Sequence, residues 1–67
     1  MTRTVLQKHA QGNREAYVER IEAHGVTGYR VRCYSQHQGR TYKDANLWYS
    51  TLTQAEDTAL DHVEGGI

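Results

Sequence analysis

From Gly28 to Ser35 the chain alternates, with Tyr29, Val31 and Cys33 on one side and Arg30, Arg32 and Tyr34 on the other. A period of two marks a strand with one buried face, and the Tyr29–Cys33 side is predicted to be that face. Gln36-His37-Gln38-Gly39 is polar, ends in glycine and reads as a hairpin loop. Arg40 to Ser50 then holds the strand formers Thr41, Tyr42, Leu47, Trp48 and Tyr49. Asp44-Ala45-Asn46 interrupts that run, and a bulge or bend is expected there.

After Ser50 the period lengthens. Thr53 followed by Glu56 has the spacing of a capping box, in which each side chain satisfies the other's free backbone N–H. Ala55, Ala59, Leu60 and Val63 recur at helical spacing, while Glu56, Asp57 and Asp61 fall largely on the other side. The pattern predicts a helix from about Gln54 to Glu64, stopped by Gly65-Gly66.

Asn13 to Gly25 fits two descriptions. As a helix it has a cap at Asn13, an apolar side of Tyr17, Val18 and Ile21, and a stop at Gly25. As a strand it returns through His24-Gly25-Val26-Thr27 into Gly28–Ser35 as a hairpin. The strand is preferred, because two strands under one helix are rarely stable alone. Met1 to Gln11 adds a short helical turn or an edge strand through Val5, Leu6 and Ala10. The expected fold over residues 1–67 is one small α+β domain: a three-stranded antiparallel sheet packed by one C-terminal helix.

Composition restricts how such a domain is held together. The chain has 67 residues, 37% of them hydrophobic and none of them Phe, so the core must be thin. Val5, Leu6, Val18, Ile21, Val31, Leu47, Leu60, Val63 and some tyrosines are expected to supply it. Cys33 is the single cysteine and cannot form an internal disulfide. Dimerisation or partner binding is the extra support this leaves. No apolar run approaches a membrane span and no signal peptide is evident, so a cytoplasmic protein without a membrane partner is expected.

Net charge is zero, yet its distribution is uneven. Residues 1–50 carry all eight Lys and Arg against four acids, whereas residues 51–67 carry four acids and no Lys or Arg. Such a dipolar chain can steer a charged partner onto one face.

The candidate chemistries are sparse. Cys33 and His37 have half of a zinc spacing, with no second pair to complete it, and the sequence points to no metal or other cofactor. Asp57 and Asp61, one helical turn apart beside His62, read as a solvated acidic face. A chain of this size is expected to lack a pocket of about 300 Å³. No phosphate loop, nucleophile elbow or metalloprotease motif is present, and enzymatic activity is not expected.

What remains is Arg30, Arg32 and Tyr34 on one strand, Arg40, Tyr42 and Lys43 on the next, and Trp48 and Tyr49 after them. Guanidinium groups among aromatic rings suit phosphate contact and base stacking, and they equally suit protein hot spots. The segments GYRVRCYSQHQGRTY and STLTQAEDTALDHV give the order strand, strand, strand, helix. In that order the region from Tyr17 to Val63 resembles the arm-type DNA-binding domain of tyrosine recombinases, in which a three-stranded sheet enters the major groove. The resemblance implies Arg30, Arg32, Tyr34, Arg40 and Lys43 as the DNA-facing set; the neutral charge and acidic helix depart from that family's basic character.

The chain also resembles the small accessory proteins of phages and mobile elements, such as anti-CRISPR inhibitors. That likeness implies a protein partner, a larger host complex docked through residues such as Tyr34, Trp48 and Tyr49. The protein-partner expectation ranks ahead of nucleic acid, because non-specific nucleic-acid affinity comes from an excess of Lys and Arg that this chain lacks.

Overall fold

The computed structural model describes residues 1–65. Strands β1 (Thr2–Gln11), β2 (Arg14–Ala23), β3 (Val26–His37) and β4 (Arg40–Tyr49) form one antiparallel meander in chain order, and helix α1 (Leu52–Val63) follows. The class is α+β, but the sheet has four strands and not the three expected. The additional strand is β1, which pairs along β2 from Thr2↔Glu22 to Gln11↔Arg14. Asn13–Gly25, which fitted either a helix or a strand, supplies β2.

Short turns account for this regularity. Paired residues flank Gly12-Asn13, His24-Gly25 and Gln38-Gly39, so each connection is two residues long. His24 and Gly25 have φ of 52° and 76°, and Gln38 and Gly39 have φ of 53° and 78°. Two successive left-handed residues make a type I′ turn, whose twist matches that of the strands it joins. The loops expected at residues 24–27 and 36–39 are therefore shorter, and Val26, Thr27, Gln36 and His37 belong to the ladder. At the first turn, Gly12-Asn13, Asn13 Nδ2 donates to Gln36 O at 2.8 Å while Gln36 N donates to Asn13 O at 2.8 Å, tying the β1–β2 connection to β3.

Each edge strand carries a bulge. In β1 the register shifts between Val5 and Gln7, leaving Leu6 unpaired, and in β4 Asp44 is the extra residue between Lys43 and Ala45. The second bulge lies where the Asp44-Ala45-Asn46 interruption places it. It turns the Asp44 carboxylate toward the helix, where Oδ1 accepts from Ser35 Oγ at 3.0 Å.

The helix begins two residues earlier than expected. Thr51 is the N-cap, its Oγ1 accepting from Gln54 N at 3.3 Å and lying 3.1 Å from Gln54 Oε1. The pair Thr51 and Gln54 thus takes the place proposed for Thr53 and Glu56, a substitution the S/T-x-x-E/Q rule permits. At the other end Gly65, with φ of 88°, ends the helix by donating its N–H to His62 O at 3.0 Å. Gly66, the second half of the expected stop, lies outside the described residues. Arg14 also donates to His62 O at 3.0 Å, placing a cation at the negative helix terminus.

One layer of small side chains joins helix to sheet. Ala55, Ala59 and Val63 pack on Ala16, Val18, Val31 and Cys33, bordered by Tyr29, Ala45, Tyr49 and Leu52. Val5 and Leu60, expected in the core, are 52% and 40% exposed. Val5 pairs with Glu19 on the face away from the helix, and Leu60 sits on the flank of α1 beside the Ala55–Ala59–Val63 stripe. His62 takes a buried place instead. Its Nε2 lies 3.0 Å from the Tyr34 carbonyl, which can only accept, so that nitrogen carries a proton.

The molecule measures 41 × 20 × 15 Å, its long axis set by strands of ten to twelve residues. A helix of 12 residues extends about 18 Å and covers one face over part of that length. No helix among the described residues is long and apolar enough to cross a membrane.

Three outcomes follow from this core. Ala59→Leu overfills a fully buried position of the helix–sheet layer and should destabilise by about 1–3 kcal/mol, read from the midpoint of a urea melt. Burial pushes the Cys33 thiol above its ordinary pKa, and the Asp44 carboxylate adds to the rise. Iodoacetamide at mildly alkaline pH should therefore label the native protein far more slowly than the urea-unfolded chain. The stability this thiol contributes is fully present below its unfolded pKa, declines as pH rises past that value, and is lost by the folded one; melts across that range should show the decline.

Candidate functional site

Strand pairing assigns each candidate residue to a face. The rows Glu15–Tyr34–Lys43, Tyr17–Arg32–Asn46 and Glu19–Arg30–Trp48 run across β2, β3 and β4 on the face that no helix covers, and Lys8 pairs with Tyr17 at its β1 edge. Of the residues singled out from the sequence, Arg30, Arg32, Tyr34, Lys43 and Trp48 meet here. The other three do not. Tyr49 lies on the helix side, where its hydroxyl accepts from Thr58 Oγ1 at 2.8 Å. Tyr42 and Arg40, paired with Ser35 and His37, share that side near the β3–β4 turn.

The centre of the helix-free face is a residue that sequence reasoning missed. Glu19 is completely buried although no second layer of secondary structure lies over it. Its cover is made of arginines: Arg30 Nε donates to Oε1 at 2.8 Å, Arg32 Nε stands 3.0 Å from the same oxygen, and Arg3 Nε lies 3.6 Å from Oε2. The Arg32 contact lacks hydrogen-bond alignment, and Oε2 has no hydrogen-bond donor within reach. The cage is thus an electrostatic cluster with one good hydrogen bond. Alternation of Glu15, Tyr17, Glu19 and Ile21 was available as a signal once this segment was read as a strand. Only the His24-Gly25 turn sets Glu19 opposite Arg30.

Aromatic rings flank the arginines. Arg30 stacks over Trp48 at 5.7 Å, and Arg32 lies 5.1 Å from Tyr17 and 5.9 Å from Tyr34. Tyr17 and Tyr34 meet edge to face at 5.9 Å, while Arg32 also donates to the Tyr34 hydroxyl at 3.1 Å. Lys8 adds a second cation over Tyr17 at 5.7 Å. Such contacts hold guanidinium planes still that would otherwise sample many rotamers. Trp48 remains 58% exposed, its ring beside Gly28, where any side chain would touch the indole.

Next to this cluster a depression of about 330 Å³ is lined by Glu15, Tyr17, Arg32, Tyr34 and Thr41, larger than expected for so short a chain and open to solvent. Charge separates by face. Arg3, Lys8, Arg30, Arg32 and Lys43 share the helix-free side with Glu15 and Glu19, five cations against two carboxylates. The helix side holds Arg14, Arg20 and Arg40 against Glu22, Asp44 and the four helix-region acids Glu56, Asp57, Asp61 and Glu64. The end-to-end asymmetry of the chain becomes a positive face and a negative face. Cys33 lies in the core, and His37 is exposed near the β3–β4 turn.

Comparison with protein-family models, curated proteins and solved structures returned no match.

The cage is asymmetric in what its removal should cost. Arg30→Ala with Arg32→Ala removes the one good hydrogen bond to Glu19 and most of its cover, leaving Arg3 alone beside the carboxylate, and should destabilise by up to about 3–5 kcal/mol. Glu19→Gln leaves arginines that can turn to water and should cost clearly less. Urea melts of both variants give the comparison, and equal losses would contradict the cage.

Proposed function

We propose that this protein is a non-enzymatic binding module that docks on a protein partner through the helix-free face. The reading includes the role expected of a phage or mobile-element accessory protein that inhibits or modulates a larger host complex. The observation that carries it is the exposed Trp48 beside Arg30 and Arg32, whose guanidinium groups are already ordered by Glu19 and neighbouring rings. Tryptophan, tyrosine and arginine are the residue types that dominate binding hot spots, and fixing them in advance lowers the entropy cost of association.

Size supports the same reading. A face of 41 × 20 Å offers on the order of 800 Å², what one partner contributes to a standard protein interface. Two features favour protein over nucleic acid. The set implied by the recombinase resemblance is divided, Arg40 lying on the side opposite Arg30, Arg32 and Lys43. Arg30 and Arg32 also direct their charge at an internal carboxylate and not at solvent.

Photo-crosslinking tests the assignment. A photoreactive amino acid replacing Asn46, beside Trp48, should give a discrete protein adduct in lysate, and one replacing Asp57 on the helix should not. Trp48→Ala should abolish the adduct while leaving the circular dichroism spectrum unchanged. Adducts to nucleic acid, or adducts from position 57 alone, would reject this docking face.

A further inference from the structure

Five cations on an open sheet face with three aromatic rings would ordinarily bind phosphate polymers, since stacking and charge together are how single strands are held. Here the two central cations are withheld. Arg30 and Arg32 converge on Glu19 at 2.8 and 3.0 Å, with side-chain exposures of 20% and 24%, while the carboxylate is wholly buried. The charge left toward solvent sits at the rim: Lys8 on β1 and Lys43 on β4, with Arg3, half exposed, shared between solvent and Glu19 Oε2 at 3.6 Å. Between them lie Tyr17 on β2 and Tyr34 on β3, while Val5 and Trp48 stand on the edge strands themselves.

We propose that Glu19 is the specificity-determining residue of this face: by occupying the central arginines from within, it closes the face to nucleic acid. The occupant it favours is a protein surface with an apolar centre ringed by carboxylates. This rests on the docking reading above and adds the chemistry of the partner. The complement follows from interface anatomy, in which a neutralised aromatic centre meets apolar groups and rim charges select an oppositely charged border.

The probes are a labelled oligothymidylate and two synthetic peptides with the same leucine centre, one flanked by glutamates and one by lysines. Trp48 fluorescence and anisotropy report binding. For the natural sequence we expect a Trp48 shift with the glutamate-flanked peptide only, and oligothymidylate binding so weak that it is measurable only at low salt, where the variants are compared. Glu19→Gln should bind the oligothymidylate at least about tenfold more tightly, with a log–log salt dependence steeper by about one, as freed guanidinium groups meet phosphates. Glu15→Gln makes the same formal charge change at the border of the face and should alter that affinity by less than about twofold, a gain too small to come from releasing a phosphate-binding cation. Glu19→Asp should behave as the natural protein does.

Equal gains for Glu15→Gln and Glu19→Gln would overturn the role of Glu19, because bulk charge would then explain both. So would a folded Glu19→Gln variant with no gain. Should Glu19→Gln not fold, Lys8→Glu decides the partner chemistry: the glutamate-flanked peptide should lose its effect on Trp48, and an undiminished shift would overturn the acidic border. Tight oligothymidylate binding by the natural sequence would overturn this inference and the protein-docking reading together.

Discussion

A carboxylate buried on the uncovered side of a sheet is the constraint around which this structure is arranged. Glu19 has no helix above it, so its shelter comes from the side chains of Arg3, Arg30 and Arg32. Removing an ion from water is costly unless opposite charges repay the loss. The arginines do so, and their side chains, drawn in over Glu19 at 2.8 to 3.6 Å, form a second layer of a kind. Tyr17, Tyr34 and Trp48 stand against these planes. A sheet open to solvent thereby acquires an ordered surface without a second helix.

The other side is built on the opposite economy of size. Alanines at 55, 59 and 16, with Cys33, let helix and strands approach closely, and no Phe or Leu is fully buried there. Little apolar area is gained in this way, so local features matter more: three tight turns, the Thr51 cap, the Gly65 terminus and the Arg14 contact with His62. Each is worth of order 1 kcal/mol, a sizeable share of what a domain this small possesses.

Much of the architecture was legible in the residues. The alternation of Tyr29, Val31 and Cys33 against Arg30, Arg32 and Tyr34 assigned β3 to its faces, and the Asp44 region marked its own bulge. The terminal helix showed in its periodicity, although its cap did not, because Thr51 and Thr53 both stand three residues before a Glu or Gln. β1 was only half visible, since Arg3, Gln7, Lys8 and His9 leave few apolar positions to count, as befits an edge strand. The central site was hidden for a different reason. Glu19 looks like any solvent-facing acid until the His24-Gly25 turn is known to be two residues long; lengthening that turn by one residue would pair it with a different neighbour. The division of Tyr49 from Trp48 is simpler, because adjacent strand residues must point to opposite faces.

The interruptions at Leu6 and Asp44 bear on how such a protein survives at high concentration. A meander has two outer borders, and a long flat border invites further chains to add on, rung after rung, into fibrils. In this molecule β1 and β4 each contain one unpaired residue that breaks the spacing of outward N–H and C=O groups. Neither border presents ten consecutive rungs to a neighbour. The broad face can stay open while the rims refuse to polymerise.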